Sequence, residues 1–396
     1  MQPFLTPKTP PDGNRGLSSV VPFILPSPEA VHDDEPCCGA PAGPPASPFD
    51  KPGYTICPFV DRFLTTAVGV VPVVRTRLSL RDRLSTVLTR MNIGRNHYTV
   101  APGLYATGQP GDHSPVLVTA NYKLSFDHLR AQLSGLDAWL LVLDTRGINV
   151  WCAAGKKTFG TDELVNRLRM TRLAEIIVNK RLIVPQLGAT GVSARDVKKR
   201  SGFSVTWGPV HCRDLRRFLE QGMTADPAMR TVTFSLAERL VLIPVEIALV
   251  LKHAAVFFLA TLVFSGLGPD LFSLSAMIDR GLPALSVLTG GLVAGTVLTP
   301  ALLHRLPGKA FSLKGMAAGL FLSVPTALVT ARFTGISGVL GLVLTATAIA
   351  SWLAMNFTGS TPYTSPTGVE KEMRRSIPIQ LAAALSGALL WLFSAF

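Results

Sequence analysis

Trp139-Leu-Leu-Val-Leu143 is an unbroken apolar run of five residues, followed at once by Asp144-Thr-Arg-Gly147. A run this short and without polar alternation predicts a strand buried on both faces, as parallel sheets use. Comparable runs recur around it at 116–119, 181–184 and 203–207. Helical segments stand between them: 125–133 with Ser125 as N-cap, 161–169 with Thr161 as N-cap, and 213–220 as a closing helix. Asp162 and Glu163 suit the positive end of the second of these. The alternation predicts an α/β fold with a doubly wound, Rossmann-like parallel sheet. Ligands in such sheets bind beyond the carboxyl ends of the strands. Topology alone therefore puts Thr119, Asn121, Gly188 and Gly208 at the ligand crevice.

Composition divides the chain near residue 239. The 396 residues carry 38 Lys+Arg and 25 Asp+Glu, a net charge of +13. Residues 1–239 hold 29 basic and 20 acidic residues, and residues 240–396 hold only 9 and 5. A purely cytosolic enzyme, a secreted disulfide scaffold and a fibrous protein are excluded by this split. Three domains are expected: a Pro/Gly-rich, disordered tail over 1–60, an α/β domain over 61–235 and a membrane domain over 236–396. Five cysteines, Cys37, Cys38, Cys57, Cys152 and Cys212, are too few and too scattered for a disulfide framework, and no CxxC pair occurs. Cys37-Cys38 reads as a soft-metal pair or as incidental. Cys212 reads as structural.

Apolar runs at 240–266, 282–303, 315–333, 336–356 and 377–395 predict an all-α domain of five transmembrane helices, the third interrupted by Pro325. Arg305, Lys309, Lys314, Lys371, Arg374 and Arg375 lie in one pair of loops, against Arg280 and Arg332 in the other. The excess puts the first pair, and with it the amino-terminal domain, in the cytoplasm, and the carboxyl terminus outside. The location expected is the cytoplasmic (inner) membrane, with no signal peptide at residues 1–30. Glu246, Lys252 and His253 in the first span read either as intramembrane functional groups or as groups reaching water at its end. The hydroxyl-rich stretch 356–370 reads as a connector or as a docking surface. Arg-rich residues 75–95, with Leu78, Leu80, Leu84, Val87, Leu88 and Met91, predict an amphipathic helix suited to anionic membrane lipid. No nucleic-acid-binding module accompanies it.

Asn149-Val150-Trp151-Cys152-Ala153-Ala154-Gly155-Lys156 carries the chemistry. A lone cysteine after a strand is commonly a small buried hydrophobe. Here the three small residues that follow remove bulk beside the thiol, as close docking of a large flat ring needs. Lys156 and Lys157 favour the thiolate. Asn149 reads as a turn former or as a partner near the sulfur, and Trp151 reads as core. No phosphate-binding glycine motif opens a helix at this point, so the nucleotide readings fall away.

The octapeptide resembles the cap-helix motif of the mercury-methylating corrinoid protein family, a membrane-anchored relative of the corrinoid iron–sulfur protein large subunit. The resemblance continues through Lys157-Thr-Phe-Gly-Thr161, Pro185-Gln-Leu-Gly188, Lys198-Lys-Arg-Ser-Gly-Phe203, Trp207-Gly-Pro209 and the loop 355–370, and covers roughly residues 60–396. It implies a cobalamin-type corrinoid bound base-off, with Cys152 as lower axial ligand of the cobalt and catalytic residue. The cofactor contacts expected are residues 149–156, which the resemblance implies, and Thr119, Asn121, Gly188 and Gly208, which topology alone places at the crevice. The implied activity is a methyltransferase passing a methyl group from a methyl-Co(III) corrinoid to Hg(II), which forms methylmercury. The implied partners are a methyl donor from the methyltetrahydrofolate pathway and a ferredoxin-like reductant with two [4Fe–4S] clusters. Two other readings are open: a membrane-bound corrinoid methyl carrier of the acetyl-CoA/one-carbon pathway with another acceptor, and a transporter with a cytosolic regulatory domain.

Overall fold

The computed structural model describes residues 57–269, 271–361, 363 and 366–396. The Pro/Gly-rich stretch 1–56 and the Cys37-Cys38 pair lie outside these residues. Contacts divide the described chain into two units, residues 57–83 with 96–231, and residues 84–95 with 232–396.

The first unit runs β1 (Val60–Thr66), β2 (Gly69–Val74), α1 (Leu80–Arg90), β3 (Gly103–Thr107), β4 (Val116–Ala120), α2 (Lys123–Ala131), β5 (Ala138–Leu143), α3 (Val150–Gly155), α4 (Thr161–Met170), β6 (Arg181–Val184), α5 (Ala194–Ser201), β7 (Ser204–Trp207) and α6 (Leu215–Glu220). The division between the units falls inside α1. The seven strands form one sheet in the order β1-β2-β3-β5-β4-β6-β7. Pairing is parallel from β5 through β4 and β6 to β7, as the apolar runs predict. The remaining edge corrects the expectation of a wholly parallel sheet: β3 is antiparallel to β5, and β1 is antiparallel to β2.

Side chains alternate across the sheet and make two cores. Trp139, Leu141 and Leu143 of β5 join Val116, Val118 and Ala120 of β4 on one face, under Leu164, Leu168 and Val197 of α4 and α5. Leu140 and Val142 join Leu117 on the other, under Phe126, Leu129, Leu215 and Phe218 of α2 and α6. The chain therefore leaves β4 over one face towards β5 and returns over the other face to β6. That change of side opens the crevice at the carboxyl ends of β4 and β6.

Two helix starts differ from the sequence reading. Helix α2 begins two residues before Ser125, with Tyr122 at its N-cap. Gly160 caps α4, and Thr161 instead accepts a hydrogen bond at Oγ1 from the Ser193 amide at 2.8 Å. A buried charge network joins α2 to the start of α1. Lys123 Nζ lies 2.9 Å from Asp82 and 2.5 Å from Asp127, and Arg130, fully buried, lies 3.0 Å from Asp82 and 2.7 Å from Asp127. Burial alone would raise the Asp82 carboxyl, but hydrogen bonds from Lys123 and Ser79 outweigh it and hold the group well below the usual carboxylate range.

The second unit continues with α7 (Leu236–Leu240), α8 (Ile243–Ser265), α9 (Leu274–Val293), α10 (Thr299–Ala301), α11 (Phe311–Val329), α12 (Ala331–Asn356) and α13 (Pro366–Phe393). Five segments are long and apolar enough to cross a membrane: Leu236–Ser265, Leu274–Ala301, Phe311–Val329, Ala331–Gly359 and Thr367–Phe393. Pro325 does not interrupt the third, because α11 runs through it. Glycines bring the backbones close. A Cβ at Gly291 would lie 2.5 Å from the Ala346 carbonyl, and one at Gly341 would lie 2.5 Å from the Gly387 carbonyl. Small residues at helix contacts are how apolar helices pack where lipid offers no hydrophobic gain.

Asp82→Asn should lower the stability of the first unit at pH 7. A carboxylate held low in the fold stabilises above its unfolded pKa and loses that contribution only as pH falls through the folded value. The gap between wild type and variant should therefore close only in strong acid, as read by hydrogen exchange of β4 and β5 against pH.

Candidate functional site

The loop after β5 is tied down before α3 begins. Asn121, buried at the end of β4, accepts at Oδ1 from the Thr145 amide (3.0 Å), the Thr145 hydroxyl (2.9 Å) and the Gly147 amide (3.1 Å). Its Nδ2 donates to Asp144 Oδ1 at 3.1 Å. Glu163 of α4 accepts from the Asp144 amide at 2.8 Å while pairing with Arg167. Burial pushes the Glu163 carboxyl up, and Arg167 pulls it back only in part. Asn121 is thus engaged with the loop through both ends of its amide. The sequence reading placed Glu163 only at the start of its helix and gave Thr145 no role; a Thr two residues beyond a buried strand was the available signal.

Helix α3 starts from this fixed loop. Asn149 is its N-cap, and its Oδ1 accepts from the Cys152 amide at 2.9 Å. Asn149 therefore caps the turn that carries the cysteine. Cys152 is half-buried with a free thiol. Trp151 is 40% exposed, so the expectation that it lies in the core is corrected.

The small residues after the cysteine divide into two kinds. Ala153 and Ala154 are fully buried in the core with Phe159 and Leu164. A Cβ at Gly191 would meet the Phe159 carbonyl and lie 2.9 Å from the Ala154 carbonyl oxygen. Ala153 and Ala154 thus belong to the packing of α3 on the turn after β6. Gly155 differs. A Cβ there would meet nothing within 4 Å. It lies one turn from Cys152 on α3, where no protein contact requires a glycine.

Gly188 and Gly208 sit past the ends of β6 and β7, as topology predicts. Each is also demanded locally: a Cβ at Gly188 would lie 2.5 Å from the Phe159 ring, and one at Gly208 would lie 3.0 Å from Ile183. Thr119 is buried in β4. Val150 packs partly buried against the core, and Lys156 is the C-cap of α3. Cys212 packs against the core, where burial pushes its thiol up to about 11. Helix α3 follows the loop after β5 and packs on the turn after β6, and β5 and β6 flank β4 in the sheet.

Part of the chain is similar to subunits of acetyl-CoA-forming systems. Residues 81–218 match the family model of the CO dehydrogenase/acetyl-CoA synthase delta subunit. The acetyl-CoA decarbonylase/synthase complex subunit gamma of Methanopyrus kandleri is 31% identical over 129 residues, 32% of this chain and 28% of that protein. The subunit gamma of Archaeoglobus fulgidus is 29% identical over 143 residues, 35% and 30%. That of Methanocaldococcus jannaschii is 28% identical over 116 residues, 29% and 23%. The chain spans less than a third of the length of these relatives. These matches overturn the resemblance to a mercury-methylating family: the relatives found are subunits of acetyl-CoA decarbonylase/synthase, and the reading is corrected to that.

Asn121→Ala should cost the first unit about 3 kcal/mol, since the loop amides it serves lose a buried acceptor. Asn149→Ala should cost about 1 kcal/mol as a lost cap. Hydrogen exchange separates the two: the first should release Thr145 and Gly147, the second only the first turn of α3.

Proposed function

We propose that the first unit holds a corrinoid over the carboxyl edge of β4 and β6, and that the protein is a membrane-bound methyl carrier of acetyl-CoA-type one-carbon metabolism. The observation that carries this reading is α3: a capped helix packed on the turn after β6, with a half-buried free thiol at Cys152 and unobstructed space at Gly155. These residues fit a large planar group bearing a metal, because a glycine with no protein neighbour allows a ring to approach the helix backbone. The match of residues 81–218 to an acetyl-CoA synthase subunit supports the same class of chemistry.

A reduced corrinoid cobalt supplies a nucleophile that accepts a methyl group and passes it on. The chain's own part is to fix one ligand. Cys152, a soft sulfur donor, would be the residue that binds the cobalt. Asn149 and the buried pair Ala153 and Ala154 set its helix and leave it little freedom, the positioning that metal sites require of the residues around a ligand. Gly155 and Trp151 border the ring. Gly188 and Gly208 shape the crevice through their packing, Thr119 through its place at the end of β4, and Asn121 by holding the loop. Lys156 stands at the end of α3 as its C-cap. Electrons would come from a separate ferredoxin-like protein with two [4Fe–4S] clusters, and the methyl group from a donor of the methyltetrahydrofolate pathway. In the membrane the loops holding Arg305, Lys309, Lys314, Arg374 and Arg375 lie on the cytoplasmic side with the amino-terminal unit.

The test uses the full chain in detergent, loaded anaerobically with corrinoid, reduced, and offered a radiolabelled methyl donor with its methyltransferase. Wild type should bind cobalt stoichiometrically and take up label. Cys152→Ala should keep the corrinoid with a changed visible spectrum and lose about 10–100-fold in transfer. Wild type that binds no corrinoid would overturn the reading, and an unchanged spectrum in Cys152→Ala would remove the ligand assignment.

A further inference from the structure

Helix α1 is turned the wrong way round for a helix of a water-soluble surface. At 3.6 residues per turn, Leu80, Leu84, Val87, Leu88 and Met91 fall on one stripe. That stripe is exposed: Leu80 is 83% accessible and Leu84 60%, and Val87, Leu88 and Met91 are exposed as well. The opposite face carries Asp82 and Thr89, and it is this polar face that is buried. Asp82 is held there by Ser79, Lys123 and Arg130.

Charge specifies what covers the stripe. Residues 77–95 contain five arginines, Arg77, Arg81, Arg83, Arg90 and Arg95, and a single acidic residue. That residue is Asp82, whose charge is already matched inside the fold. Arg81 and Arg83, both exposed, flank the apolar stripe on its two sides. An apolar stripe edged by arginines is the pattern of a helix lying in the plane of an anionic lipid surface, with long basic side chains reaching the headgroups. Residues 84–95 also group with the unit that carries the five membrane-length helices.

We propose that α1 is an interfacial helix, seated in the headgroup layer of an anionic bilayer with Leu80, Leu84, Val87, Leu88 and Met91 at the acyl boundary. It is a contact with lipid additional to the five apolar helices. The Asp82 network ties its first turn to α2, which begins directly after β4 and Asn121. Lipid charge can therefore bear on the unit that contains α3.

The test places a tryptophan on the stripe of the full chain, as Leu84→Trp and separately as Val87→Trp, in nanodiscs carrying nitroxide-labelled lipid. In discs containing phosphatidylglycerol, the added emission should be blue-shifted and quenched more by a nitroxide near the headgroup than by one at the bilayer centre. Adding Arg81→Glu and Arg83→Glu to the Leu84→Trp chain should abolish most of that quenching. Added emission that ignores both nitroxides, as when a protein segment or a second copy covers the stripe, would overturn the proposal. Equal quenching in discs of phosphatidylcholine alone would overturn its dependence on anionic lipid.

Discussion

The site depends on one side chain, Asn121, which spans the carboxyl ends of two adjacent strands. It leaves β4 and hydrogen bonds both Thr145 and Gly147 in the loop beyond β5. A buried amide with all its partners made by one short loop leaves that loop a single conformation. Glu163 adds a second hold from α4, on the Asp144 amide. The direction in which the chain enters α3 follows from these contacts, and the place of Cys152 follows from the direction of α3.

Small residues around α3 show how space is shared between protein and ligand. Ala153, Ala154, Gly188 and Gly191 are small because helix, turn and the Phe159 ring occupy the same few ångströms. Close packing of this kind is costly to disturb, since a single added methyl group has nowhere to go. Gly155 has no such neighbour and marks the open side of the helix. The same device recurs in the helical unit, where Gly291 and Gly341 let backbones touch.

The parallel half of the sheet was legible in the sequence because β4, β5 and most of β6 are buried and read as apolar runs, while β7, at the edge, reads by alternation. The first three strands were not. β2 contains Pro72 and β3 begins at Gly103, residues that argue against strands when read locally, and their pairing is set by neighbours distant in sequence. Caps failed where tertiary demand prevailed: Thr161 is spent on the Ser193 amide, and Ser125 lies inside a helix that the Asp82 network extends. The octapeptide 149–156 pointed to a family that the matches do not support. Its Asn149, Ala153 and Ala154 answer to a cap and to core packing, so they say little about which molecule receives a methyl group. The match over 81–218 draws on the whole crevice instead. The exposure of the α1 stripe was also beyond the sequence, since periodicity gives the stripe and only the fold shows that it faces outward.

The central claim is that Cys152 binds the metal of a planar cofactor held over the crevice. X-ray absorption at the cobalt edge tests it most directly, on the full chain loaded with corrinoid and on Cys152→Ala treated identically. The account predicts a sulfur neighbour in the cobalt shell of the wild type that is absent from the variant. A shell of nitrogen and oxygen alone in the wild type, with corrinoid bound, would contradict it.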